Sequence, residues 1–343
     1  MFREPKVIVS VILCSLFLAG CGVNPEDKRP PLDALLEDVI RPEYAQLLES
    51  AEQFRQKSEA FCAEPDEPNF NGLRDSWRDA MFDWQGTEAV SQLYLEENME
   101  NWRFQFWPDR KNLVGRKVET LLEQELPQDL RRESVIVQGL SALEYLLFDP
   151  NTGSRIYLVE AERCRLLLAV SKSFVDNSRE LNSLWEASGN FSKRMLSVDP
   201  EKGLTAQVWV INSLHTLVAR LIRELNLPLG KKRVNHYLAE SWRSGQSLGN
   251  TRESLYSAII MIDFILGRSS SSDAMIWREL ASTIESARLS LEQAPLSFAE
   301  AVKGDGLQKV VAIREQLSDL QRQIQGSAAQ LDVALGFNAS DGD

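Results

Sequence analysis

The chain has 343 residues, a hydrophobic fraction of 43% and a formal net charge of −12. That length allows two domains and that apolar content is ample for buried cores. The acidic balance argues against a nucleic-acid partner, whose phosphates need a basic surface, and against adsorption to anionic lipid. It is compatible with cation binding.

Taken in chain order, the first element is a targeting segment. Arg3 and Lys6 precede an apolar run from Val7 to Leu18, which is short for a membrane-spanning helix and has the size of a signal-peptide core. Leu18-Ala19-Gly20-Cys21 resembles the lipobox of bacterial lipoproteins, which implies residues 1–20 as a removed signal and a lipid on Cys21. Gly22, not Asp, follows the cysteine, and in such lipoproteins that implies the outer membrane, facing the periplasm. Residues 21–31 read as a polar, Pro-containing tether. Loss of Arg3, Lys6 and Glu4 leaves 36 basic and 49 acidic side chains, a net of −13. Cys62 and Cys164 remain in an oxidising compartment, where they are able to pair if their Cα atoms approach, which sequence does not show.

After Leu32 the apolar spacing is helical throughout. Leu35, Leu36, Val39 and Ile40 open a stripe that Leu47, Leu48, Ala51 and Phe54 continue, with Pro42 expected to kink or restart the helix. A second helix is predicted from Gly72 to Met99, burying Leu73, Trp77, Ala80, Met81 and Trp84. The aromatic segment Trp102, Phe104, Phe106, Trp107 and Pro108 reads as a loop folded onto a helix pair. Helices follow over Lys111–Gln124, Asp129–Phe148 and Arg155–Ala187, with a turn at Asp149-Pro150-Asn151-Thr152-Gly153. The polar stretch from Gly189 to Gly203 reads as a linker. Further helices fit Thr205–Leu225, Ser247–Leu266, Asp273–Gln293 and Leu307–Leu335, with Asp273 as an N-cap. The expected architecture is all-α: two packed bundles of about four helices each, over residues 32–188 and 204–343.

Within Asp129–Phe148, Ile136, Leu140, Leu143 and Leu147 form an apolar stripe and Glu144 falls inside it. A carboxylate there must meet a cation, hydrogen-bond donors or a water-filled cleft. One reading is a buried Glu144–Arg pair; the other is a ligand site shared with Ser141, three residues earlier, with Gly139 admitting a close backbone. Asp109 and Arg110 follow Trp107 in a loop able to reach a cleft between the domains. Trp77 and Trp84, seven apart, read as core, as does His215 beside Leu214 and Leu217. His236 and Glu240, four apart, supply half of a metal site. HExxH, Gly-x-Ser-x-Gly, P-loop and dinucleotide fingerprints are absent.

The segment Gly139-Leu140-Ser141-Ala142-Leu143-Glu144-Tyr145-Leu146-Leu147 resembles the GxHxxE segment of the imelysin family. Trp107-Pro108-Asp109, Leu225-Asn226-Leu227-Pro228-Leu229-Gly230 and the C-terminal run Leu335–Asp343 resemble further parts of that family, so the likeness spans the chain from about Leu32 onward. The resemblance implies two helical bundles with a functional site between them, relatives in iron acquisition, and a proposed metallopeptidase activity. The family's histidine and glutamate look like metal ligands; here the histidine position is Ser141, and a hydroxyl is a poor ligand for zinc or iron. The expected function is therefore a non-catalytic, lipid-anchored envelope protein. It would bind a small ligand, a divalent cation or a protein partner in a groove at Gly139, Ser141, Glu144, Trp107 and Asp109. Glu144 and His236 are the candidate metal ligands. A metallopeptidase and a partner-docking scaffold are the alternatives.

Overall fold

The computed structural model describes residues 31–97, 101–197, 205–235, 243–303 and 306–336. Cys21, the expected signal and tether up to Pro30, His236 and Glu240, and the tail after Gly336 lie outside the described residues. Among the described residues every regular element is helical. No helix among them is long and apolar enough to cross a membrane.

Helix α1 (Leu32–Leu35) passes through a π-helical turn, Leu36–Ile40, into α2 (Arg41–Ala63). Pro42 has no N–H for the preceding turn and its ring crowds that turn's carbonyl, and the wider π spacing absorbs both. The helix thus runs on through Pro42, neither stopping nor restarting there. Helix α3 (Glu67–Glu97) begins ahead of the expected Gly72 and runs 31 residues, about 46 Å at 1.5 Å per residue. Leu73, Trp77, Ala80, Met81 and Trp84 are all buried on it.

Two expected helices are broken. Asp129–Phe148 consists of 3-10 turns at Leu130–Arg132 and Val135–Val137, and only Leu140–Phe148 (α6) is α-helical. Val135, Ile136 and Val137 form a β-branched run of weak helix propensity, and Gly139 ends it where another backbone presses close. Ile136 therefore does not extend the α6 stripe and is only partly buried. Arg155–Ala187 divides into α7 (Arg155–Leu158) and α8 (Ala161–Trp185), with Glu160 extended between them. Short helices α4 (Asn101–Phe104) and α5 (Leu113–Leu122) flank the aromatic loop. Within the stretch read as a linker, Asn190–Ser197 forms α9, whose Phe191 and Met195 are buried.

Helix α10 (Ala206–Leu229) continues beyond Leu225 through Pro228 and stops at Gly230, whose φ of 65° suits glycine. Helices α11 (Ser247–Leu266), α12 (Ser271–Glu292), α13 (Phe298–Ala301) and α14 (Gly306–Gln330) complete the chain. Ser270, not Asp273, is the N-cap of α12: its Oγ accepts the Asp273 N–H at 3.4 Å.

Helices α2, α3, α6 and α8 form one bundle, and α10, α11, α12 and α14 form the other. Helix α3 belongs to both, packing on α2 and α6 and also on α10 and α11. Where the halves meet, Trp185 stacks on Tyr44 and contacts Tyr94, Phe191 and Trp209, joining α2, α3, α8, α9 and α10 in one aromatic cluster. Buried apolar residues form one continuous core through both halves. Cys62 and Cys164 are disulfide-bonded with Cα atoms 5.9 Å apart, tying the end of α2 to the start of α8.

Candidate functional site

The residues singled out on α6 each do a separate job. A Cβ on Gly139 would lie 2.3 Å from the Arg103 carbonyl oxygen and 3.0 Å from the Phe104 Cα, so the expected close backbone approach is present. Ser141 Oγ accepts the Phe106 N–H at 2.8 Å. The Leu140 carbonyl accepts the Trp77 indole N–H at 3.0 Å. Gly139 and Ser141 thus seat the loop 104–108 against α6.

Glu144 is only 7% exposed, and its Oε1 accepts the backbone N–H of Ser244 at 2.9 Å. Burial raises its pKa above the ordinary carboxylate value, against the pull of the Ser244 hydrogen bonds and of the Arg243 charge. Arg243 itself pairs with Asp149 at 3.0 Å, donates to Asn112 Oδ1 at 2.6 Å and lies over the Tyr145 ring. The segment Arg243–Ser244 of the second half is thereby latched into a socket of the first. Ser141 and Glu144 do not converge on one ligand: Ser141 faces the aromatic loop and Glu144 faces Ser244.

Asp109 does not reach a cleft. It is buried, and its two carboxylate oxygens accept the N–H groups of Leu113 at 2.6 Å and Val114 at 3.1 Å, holding the first turn of α5. Trp107, joined to Pro108 by a cis peptide bond, and Arg110 do line a cavity.

That cavity, of about 320 Å³, lies between the aromatic loop, α3 and α10. Helix α4 supplies Trp102; the loop after it supplies Gln105, Trp107 and Arg110; α3 supplies Glu88; α10 supplies Arg220, Arg223, Glu224 and Leu227. Its floor is a buried polar network. Arg220 is 5% exposed and meets Glu88 at 3.0 Å, Glu224 at 3.1 Å and Ser254 of α11 at 3.2 Å. Gln85 accepts from Arg220 and Ser254, and donates to Gln105 Oε1, which also accepts the Trp84 indole N–H. Trp84 stacks on Phe104 with centroids 4.5 Å apart. The cavity wall is therefore fixed from behind by Gly139 and Ser141, and from below by a network joining both bundles.

The peptidase M75 model, described as imelysin, matches residues 40–335. The chain belongs to the imelysin family. An imelysin-like protein from Psychrobacter arcticum is 19% identical over 93% of this chain and 100% of that one, with a TM-score of 0.75. A protein from Parabacteroides distasonis described as an iron-regulated protein A precursor is 13% identical over 90% and 97%, with a TM-score of 0.64. At these identities both show a common fold. A search of curated proteins finds no match.

A metal at the imelysin motif does not fit this chain's residues. Ser141 stands at the histidine position and holds the Phe106 N–H, while Glu144 holds the Ser244 N–H. Among the described residues no three His, Cys, Asp or Glu side chains converge as a metal site. His215 is partly buried rather than core, with its ring nitrogen 3.5 Å from Gln325. Sequence reasoning missed Arg220, Glu88 and Glu224. A weaker form of the signal that exposed Glu144 was present: Arg220 borders the apolar face of Leu214, Leu217, Val218 and Leu221, with Glu224 one turn beyond it.

Proposed function

We propose that this imelysin is a non-catalytic binding protein of the cell envelope that holds a small ligand in the cavity between its two bundles. The observation that carries the reading is the cavity itself: both halves of the chain build it, and its floor is a rigid, hydrogen-bonded network rather than loose side chains. Small-molecule sites are largely preformed clefts in which a few placed polar groups fix the ligand beside apolar and aromatic side chains, here Trp102, Trp107 and Leu227. The commitment of Ser141 and Glu144 to backbone N–H groups favours this over a metallopeptidase built on the same motif. A link to iron or metal homeostasis is supported by the imelysin family and by the iron-regulated description of the Parabacteroides protein. The lipobox-like sequence at Cys21 supports a lipid anchor at the outer membrane, facing the periplasm.

Protein purified from its own envelope under native conditions should carry a bound small molecule, detected by native mass spectrometry and elemental analysis. Leu227→Trp, which fills the cavity, should expel it. An empty protein, or a bound molecule indifferent to Leu227→Trp, would remove the binding role from this cavity.

A further inference from the structure

We infer that the cavity takes a small anion bearing carboxylate groups, gripped by Arg110 and Arg223 beside the Trp102 and Trp107 rings. The inference rests on the binding role proposed above and adds the chemical class of the ligand. The charges in the cavity are not equivalent. Glu88 and Glu224 both contact Arg220 at the floor, which leaves those carboxylates engaged with a fixed cation. Arg110 and Arg223 stand exposed at the mouth, one from each half of the chain, and among the described residues neither side chain enters an ion pair. Other arginines of this acidic chain, such as Arg78, Arg165 and Arg288, meet an acid one helical turn away. The mouth is thus a place where, among the described residues, two arginines face solvent outside any ion pair, while the two carboxylates of the lining are held by Arg220, on a protein of net −12.

Guanidinium groups present a planar fork that matches a carboxylate, and two of them from opposite walls suit a ligand with more than one. Trp102, 45% exposed, and Trp107 offer apolar faces beside them. The volume, about 320 Å³, is at the small end of ligand pockets, which suits a metabolite-sized anion. A bare cation would meet three arginines there, against two glutamates already engaged with Arg220. A free polycarboxylate and its anionic iron chelate present the same outer carboxylates, so the shared chemistry defines the class and the experiment separates the two.

The full-length protein is titrated calorimetrically at low ionic strength with citrate, ferric citrate, tricarballylate, inorganic phosphate and choline. At least one of the three carboxylates should bind with a sub-millimolar Kd, and binding should weaken as salt is added. Arg110→Glu combined with Arg223→Glu should weaken it at least tenfold. Arg278→Glu, exposed on α12 outside the cavity, should leave it unchanged. The single variant Arg223→Gln should weaken it several-fold and guards against misfolding of the double variant, with circular dichroism recorded on each. Tighter binding of ferric citrate than of citrate assigns the chelate; the reverse assigns the free acid. Silence from all three carboxylates, binding of phosphate or choline alone, or binding indifferent to both arginine variants overturns the inference. A neutral or cationic molecule that co-purifies and is expelled by Leu227→Trp would overturn the carboxylate class while leaving the binding role standing.

Discussion

Glu43 shows how a single carboxylate sets a pH dependence in this protein. It is half-buried on α2 against Gly86 of α3, where a Cβ would strike its Oε2. Burial, then the Asp83 and Glu253 charges, pushes its pKa from 4.5 to about 7. The folded state therefore binds more protons than the unfolded chain between those values, so stability is full below 4.5 and falls as pH rises through 7. Glu253 is raised by its own burial, with the same sign. Glu43→Gln should flatten the curve and raise stability at pH 8 by about 1–3 kcal/mol, given 1.36 kcal/mol per unit and partial exposure. Thermal melts of both proteins from pH 4.5 to 8.5 test this; equal slopes would show that Glu43 does not titrate as its burial requires. Glu144 gives a second contrast at this scale. Glu144→Ala leaves the buried Ser244 N–H without its acceptor, and should cost about 1–3 kcal/mol. Glu144→Gln keeps an acceptor and sheds a buried charge, so it should cost much less in the same denaturant titration. A structural ligand of the metal-binding kind would not show that tolerance.

Among the elements, α6 and the loop 104–108 act as one unit. Gly139→Ala places a methyl group against the Arg103 carbonyl, which is backbone and has no rotamer to yield. It should cost about 1–3 kcal/mol, as overpacking does, and should also displace the cavity wall. Urea unfolding measures the first effect and ligand affinity the second. A variant as stable as the parent would mean that the two backbones are free to part. Asp109→Ala removes the acceptor for two N–H groups of α5 and should cost about 1–2 kcal/mol. Here too, loss of binding in the variant would report a displaced loop, because Asp109 stands behind the wall and not in the cavity.

For the whole molecule, the sharing of α3 and the unbroken core make the two bundles one folding unit. Calorimetry should show a single transition, and separate expression of residues 32–188 should yield a chain with α3's second face uncovered. The Cys62–Cys164 bond encloses a sequence separation of 102 residues. Its removal by Cys62→Ser with Cys164→Ser should lower stability by about 2–4 kcal/mol without moving the cavity, since both cysteines lie away from it. Unchanged midpoints under reducing and oxidising conditions would show that the α2–α8 packing alone carries that contact.

Much of this organisation followed from the sequence alone. The helical spacing of apolar residues determined an all-α chain, because a buried face recurring every three or four residues suits no other element. It marked Trp77 and Trp84 as core, Gly139 as a point of close approach and Glu144 as a carboxylate needing a partner, since burial of a charge or a Cβ is a local cost that one helix already reveals. Partners were another matter. That Glu144 meets a backbone N–H a hundred residues away, that Ser141 seats Phe106, that Asp109 caps α5 and that Cys62 meets Cys164 depended on how α3 brings the halves together. The cavity arose in the same way: Arg110, Glu88 and Arg220 come from three distant segments, and their meeting is set by packing of long helices, a property of the assembled core rather than of any local pattern.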